Sequence, residues 1–285
     1  MIPEALRQAL DETRGRRDAR WADRSVLLIN ESWGELALSR HGGHLLHFAP
    51  RDQRDWLWTG SIPKAPPGAI RGGIPLCWPW FGDPEDGQGP AHGTARTAEW
   101  QIEAVDDAED GVEIHLFPEQ RLDEQLSPRL VIHANARRLA LELMTEHDGE
   151  TPTRLTQALH SYFDVADTYA CRVEGLSGAR YIDKLDGFTE HDQVGELGIR
   201  GALDRIYHSS RPLVLDDGQR RLRIAKNGSD SSVVWHPGTP PPGDVAAEEL
   251  DRFLCVEAAC THLDPVWLAP GAQHRLSLHV SLADE

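Results

Sequence analysis

The chain has 285 residues, with 29 Lys plus Arg against 46 Asp plus Glu and a formal net charge of −17. That acidity disfavours nucleic acid and anionic membranes as partners, because both reward clustered cations. With 40% hydrophobic and 26% charged residues, the composition is that of a soluble globular chain rather than a disordered one.

Residues 1–20 read as a short amphipathic helical segment, with Ile2, Ala5, Leu6, Ala9 and Leu10 on one side. From 21 to 285 the pattern changes to short strands. They are expected at 25–30, 34–39, 44–50, 99–105, 111–117, 129–135, 138–147 and 155–165. More follow at 212–217, 221–227, 231–237, 252–259, 264–270 and 274–282. Many alternate with period two, and turn residues separate them. No helical stretch of ~10–15 residues intervenes, so the reading is a single all-β domain, an antiparallel sandwich. Two long loops interrupt it, at 59–100 and 237–250. The first carries IPLCWPWF, too apolar for a disordered insertion, and is expected to be ordered and functional. The role of the second stays open.

No apolar run approaches the ~18 residues that cross a bilayer, and the start does not resemble a signal peptide. Cys77, Cys171, Cys255 and Cys260 form no CxxC pair. They are too few for a disulfide framework at this length, so a cytoplasmic location is expected.

The common nucleotide-binding, zinc-hydrolase and serine-hydrolase motifs are absent. His41, His44 and His47 fall in HGGHLLH without a Cys or carboxylate cluster at ligand spacing, so surface or edge histidines are expected and no metal. His160 is more informative. In LTQALHSYF, Leu155, Leu159 and Phe163 take the core side, and His160 lies opposite with Thr156, Ala158 and Tyr162. There it can serve as a proton donor or as a plain sheet histidine. Glu257 sits midway along an apolar strand, on the face of Phe253 and Cys255. A carboxylate in such a place can have a raised pKa and act as a general base. Arg71 and Arg96 lie beside glycines, which allow close approach of backbone and ligand. Their guanidinium forks could clamp a phosphate or carboxylate, or simply face solvent. His92 is a polar candidate in the same segment.

Taken together, GGIPLCWPWFG (72–82), HGTARTAEW (92–100), ALHSYFDV (158–165), LDRIY (203–207), VVWHPG (233–238) and FLCVEAA (253–259) resemble the bacterial hexose-6-phosphate mutarotases. These are glucose-6-phosphate 1-epimerase-like members of the aldose 1-epimerase group. The resemblance implies a galactose-mutarotase-like β-sandwich and an isomerase that interconverts the anomers of hexose 6-phosphates. It implies His160 as general acid and Glu257 as general base. Arg71 and Arg96 would hold the sugar phosphate, and His92 and Asp204 would contact the sugar. Trp78 and Trp80, in the same segment as Arg71, are expected at the sugar site. Neither cofactor nor metal is expected, and the partner is a small-molecule hexose 6-phosphate bound by a monomer. The chain departs from the family pattern at His236, where relatives often carry Asn, and at Gly238 with TPPPGD after it. That departure bears on substrate preference. A neutral-aldose epimerase would have no use for the paired arginines. A non-catalytic sugar-phosphate sensor would not need His160 and Glu257 together. A secreted polysaccharide lyase or hydrolase would want a secretion signal.

Overall fold

Along the strand Leu126–Asn135, buried and more accessible residues alternate almost without exception, as a sheet packed on one face requires. The computed structural model that shows this describes residues 1–85, 87–108 and 110–283. Asp86, in the first long loop, Glu109 and the last two residues of the 21–285 span lie outside it.

Two large sheets form the body. One has nine strands, in the order Leu197–Gly198, Arg172–Glu174, Leu213–Asp216, Arg221–Asn227, Gln273–Leu282, Arg138–His147, Leu126–Asn135, Gly111–Pro118 and Trp100–Ala108. The other has eight. At its centre Ser231–His236, Phe253–Cys260 and Gln157–Leu159 run side by side, and Tyr162–Asp164 also pairs with Phe253–Cys260. All pairings are antiparallel. The inner faces meet in one core. Leu254, Val256 and Ala258 enter it from the eight-stranded sheet; Leu139, Leu141, Leu143, Leu276 and Leu278 enter from the nine-stranded sheet. Period two then turns Phe253, Cys255 and Glu257 to the outer face of the eight-stranded sheet. An antiparallel sandwich is therefore the fold, as the strand pattern predicts.

The N-terminal reading needs correction. The helix spans only Glu4–Asp11, where Leu6 and Leu10 are buried but Ala5 is exposed. Gly15 follows in the left-handed region at φ +71°, and Gly15–Trp21 is a strand that pairs with Arg24–Glu31. Edge pairing outweighs the weak helical periodicity of a short arginine-rich stretch. The sequence also leaves several short strands unmarked, among them Leu76–Cys77, Arg180–Asp183 and Leu203–His208. Too few residues alternate there to give a signal.

The histidines of HGGHLLH are not at the surface. His41, His44 and His47 are 4%, 2% and 0% exposed. His41 Nδ1 lies 2.9 Å from Glu99, and His44 Nε2 lies 2.7 Å from the Gly72 carbonyl oxygen. Burial holds His44 down at about 3, so it is a neutral brace between the strand His44–Pro50 and the Gly72–Gly73 segment.

Candidate active site

Two strand pairings build the centre of the site. Leu159 is the partner of Ala258, and Tyr162 is the partner of Cys255. The register is the same on both sides of the interruption, so His160 stands opposite Glu257. At the interruption the backbone N–H of His160 goes to the Pro75 carbonyl instead. His160 Nε2 and Glu257 Oε1 are 3.5 Å apart. Glu257 is 1% exposed and the His160 side chain 12%.

Both groups are pushed towards their neutral forms. Burial raises Glu257 well above the usual carboxylate value, and Asp204 adds to this. Burial lowers His160, and the charges of Arg96 and Arg71 lower it further. The buried Glu257 Oε2 and His160 Nδ1 have no hydrogen-bond partner. Buried polar atoms are normally paired, so such gaps point to a ligand or water that completes them.

Aromatic rings form the floor. Tyr162 stacks on His160 with centroids 4.8 Å apart, and Trp235 meets both rings edge-on. Trp235 is the register partner of both Asp204 and Cys255, which puts it two residues along from the partner of Glu257, on the same face of the sheet. Sequence reasoning placed Tyr162 on the face of His160 but missed Trp235. Its signal was an aromatic at the end of an apolar strand, inside the VVWHPG segment itself.

His92 faces the pair from the first long loop, 5.7 Å from the His160 ring. It adopts φ +64°. Its Nδ1 accepts from the Gly82 N–H at 3.3 Å, and burial holds it down at about 3. The neutral ring therefore carries its proton on Nε2 and can donate from there. The neighbouring Gly93 is required by its own backbone. At φ +75°, a Cβ there would lie 2.0 Å from the Trp78 carbonyl oxygen. A Cβ on Gly73 would likewise lie 2.1 Å from the Leu45 carbonyl oxygen. These glycines serve close packing of the protein on itself, not approach of a ligand as the sequence suggests.

The two arginines differ. Arg71 Nε donates to Asp244 at 2.8 Å and Nη1 to the Tyr162 hydroxyl at 3.3 Å. Its guanidinium lies 5.6 Å from the Trp235 ring centroid. Asp244 also pairs with Lys64 at 2.9 Å, so the loop at 237–250 closes over Arg71 and neutralises it. The far end of this loop is held by His236, 1% exposed, whose Nε2 lies 2.8 Å from the Leu250 carbonyl oxygen. His236 is thus a loop anchor. Arg96 makes no ion pair among the described residues. Its Nη2 donates to the Ala91 carbonyl at 2.6 Å, and its buried Nε has no partner. It is the uncompensated cation of the site.

Asp204 is held by Lys184 at 2.9 Å, and burial raises its pKa despite that charge. Trp80 borders a cleft beside His92 that is also lined by Phe81, Arg154, Lys184 and Ile206. Trp78 does not belong with it. Trp78 is fully buried in the main core, and its indole N–H donates to Thr145 of the opposite sheet at 3.0 Å. The expectation of Trp78 at the sugar site fails because no face of the ring is open. The surrounding strand Leu76–Cys77 pairs with Gln157–Leu159 and carries Trp78 inward.

A family described as Aldose 1-epimerase matches residues 24–281. A protein of Escherichia coli (strain K12) named "Putative glucose-6-phosphate 1-epimerase" is 31% identical over 247 residues, covering 82% of each chain. One of Salmonella typhimurium with the same name is 31% identical over 252 residues, covering 82% of this chain and 83% of that one. Among solved structures, "a putative mutarotase (YeaD) from Salmonella typhimurium" superposes with a TM-score of 0.89 at 24% identity, covering 99% of this chain and 100% of that chain. At that identity the superposition speaks for the fold.

Proposed function

We infer that this chain, which belongs to the aldose 1-epimerase family and is an isomerase of small-molecule sugars, is a mutarotase of hexose 6-phosphates. The observation that carries the reading is the acid–base pair His160 and Glu257 at 3.5 Å, with the positive charges of Arg96 and Arg71 disfavouring protonation of His160.

Ring opening requires one proton to leave the C1 hydroxyl and another to reach the ring oxygen. Both oxygens are bonded to C1, so two adjacent groups can serve them together. Glu257 as carboxylate takes the hydroxyl proton, and His160 as imidazolium delivers its proton to the ring oxygen. The C1–C2 bond rotates, and the roles reverse on closure. Burial alone favours the other placement of the pair's single proton, on Glu257. A phosphate bound at Arg96 and Arg71 neutralises two of the charges that keep His160 unprotonated. Substrate binding thereby moves the proton to His160 and arms the pair. Asp244 yields Arg71 to the phosphate in this scheme. His92 donates from Nε2, and Asp204 and Trp235 position the sugar. The protein acts as a monomer, in the cytoplasm. The four unpaired cysteines suit a reducing compartment.

The decisive assay follows anomerisation of glucose and of glucose 6-phosphate by NMR exchange, with and without protein. Acceleration of the phosphate alone supports the reading. Equal acceleration of both sugars overturns the phosphate preference. Binding without acceleration overturns catalysis and leaves a sensor.

A further inference from the structure

We propose that His160, Cys255 and Glu257 form an inhibitory site for a thiophilic divalent cation, with zinc as the type ion. The three side chains offer one nitrogen, one sulfur and one carboxylate oxygen, all within 4.8 Å of one another. A tetrahedral zinc ion holds such atoms roughly 3.3–3.6 Å apart, so small side-chain rotations close the site. His160 Nε2 and Glu257 Oε1 already stand at 3.5 Å.

Two further observations fit a bound ion. The second carboxylate oxygen, Glu257 Oε2, is buried without a partner, and Cys255 is free and fully buried beside the pair. The charge also balances. A thiolate and a carboxylate neutralise a dication, and the imidazole binds as the neutral ring through one nitrogen. On binding, the Cys255 thiol loses its proton to solvent and the proton shared by Glu257 and His160 leaves as well. A metal–sulfur bond forms, and no electron is transferred. Arg71 and Arg96 oppose any cation here, so only an ion that gains the thiolate is held. Thiolate and imidazole select zinc over magnesium or calcium, which prefer oxygen ligands. Three protein ligands leave the fourth position of a tetrahedral ion open, the arrangement of an open zinc site. Such an ion occupies both catalytic groups at once and competes with substrate.

The test titrates the full chain with Zn²⁺ and, for its spectrum, Co²⁺. Micromolar Zn²⁺ is expected to suppress mutarotation at least ~10-fold, competitively and reversibly with chelator, whereas millimolar Mg²⁺ has no effect. Co²⁺ should add a thiolate-to-metal charge-transfer band in the near ultraviolet. Cys255→Ala should keep its basal activity, lose the band, and need at least ~10-fold more Zn²⁺ for inhibition. A band that persists in Cys255→Ala, or unchanged inhibition of that variant, overturns the proposal. Should Cys255→Ala fail to fold, Glu257→Gln is the second variant. It should keep the band but bind Co²⁺ at least ~10-fold more weakly, and undiminished affinity again overturns the site. The Co²⁺ spectrum is read without sugar, so this outcome is independent of the substrate.

Discussion

Glu257 stands opposite His160 across an interruption in the strand ladder, with 3.5 Å between carboxylate and imidazole. Neither side chain is satisfied by the protein alone. A buried carboxylate without a hydrogen-bond partner costs folding free energy, and the molecule keeps it where a substrate hydroxyl can complete it.

Replacing Glu257 separates these two effects. Glu257→Gln keeps the shape and removes the base. Turnover should fall ~10²–10⁴-fold, while the melting temperature stays about level, since Gln keeps the size of the neutral carboxyl that burial favours. Calorimetry beside the exchange assay reads both quantities. A variant with full activity excludes Glu257 as the base.

The pH profile should report the pair as one unit that works with a single proton. The acid limb is the arrival of a second proton on His160, which burial, Arg96 and Arg71 push below the usual histidine value. The alkaline limb is the loss of the proton that burial and Asp204 hold on Glu257 above the usual carboxylate value. The kcat/KM plateau therefore lies between a limb displaced below the usual histidine value and one displaced above the usual carboxylate value. Arg96→Gln removes one repelling charge and should shift the acid limb to higher pH. A limb that stays in place in Arg96→Gln would show that Arg96 does not act on His160.

Arg96 and Arg71 should contribute unequally to phosphate recognition. Among the described residues Arg96 has no carboxylate to release, whereas Arg71 must exchange Asp244 for the substrate. A charge-assisted hydrogen bond contributes ~1.5–3 kcal/mol, so Arg96→Gln should raise KM for glucose 6-phosphate ~10–150-fold and leave the neutral sugar unchanged. Asp244→Asn should lower KM by freeing Arg71. Inorganic phosphite added with neutral glucose should restore part of the rate in the unmodified protein, because remote binding energy assists the reacting centre. Absence of any phosphite effect would break the link between phosphate binding and protonation of His160.

Two tryptophans from motif segments should behave in opposite ways. Trp78→Phe loses the buried bond to Thr145 and should destabilise the fold by ~1–3 kcal/mol with KM unchanged. Trp235→Ala opens the floor beside His160 and Tyr162 and should raise KM with a smaller loss of stability. Denaturant titration and initial-rate kinetics on both variants check the contrast.

Period-two alternation alone identified the sandwich, because each strand must turn one face to the core. The same alternation set the faces of residues 155–163 and 253–258. Leu155, Leu159, Phe163, Leu254, Val256 and Ala258 enter the main core as expected, which leaves His160 and Glu257 on the other face. The Trp-rich segment was legible as ordered for a similar reason, since so much apolar area would not stay in water.

Register, and with it the site, was decided by tertiary structure. Nothing local states that residue 160 should face residue 257, because strand pairing is a long-range choice fixed by packing of the whole sheet. The same holds for the two arginines, which look alike in sequence. Only the fold of the 237–250 loop brings Asp244 onto Arg71, while Arg96 has no counter-ion among the described residues. Trp78 and Trp235 show the limit most plainly. An aromatic ring has the same affinity for a core as for a sugar face, and which one it meets depends on the strand that carries it.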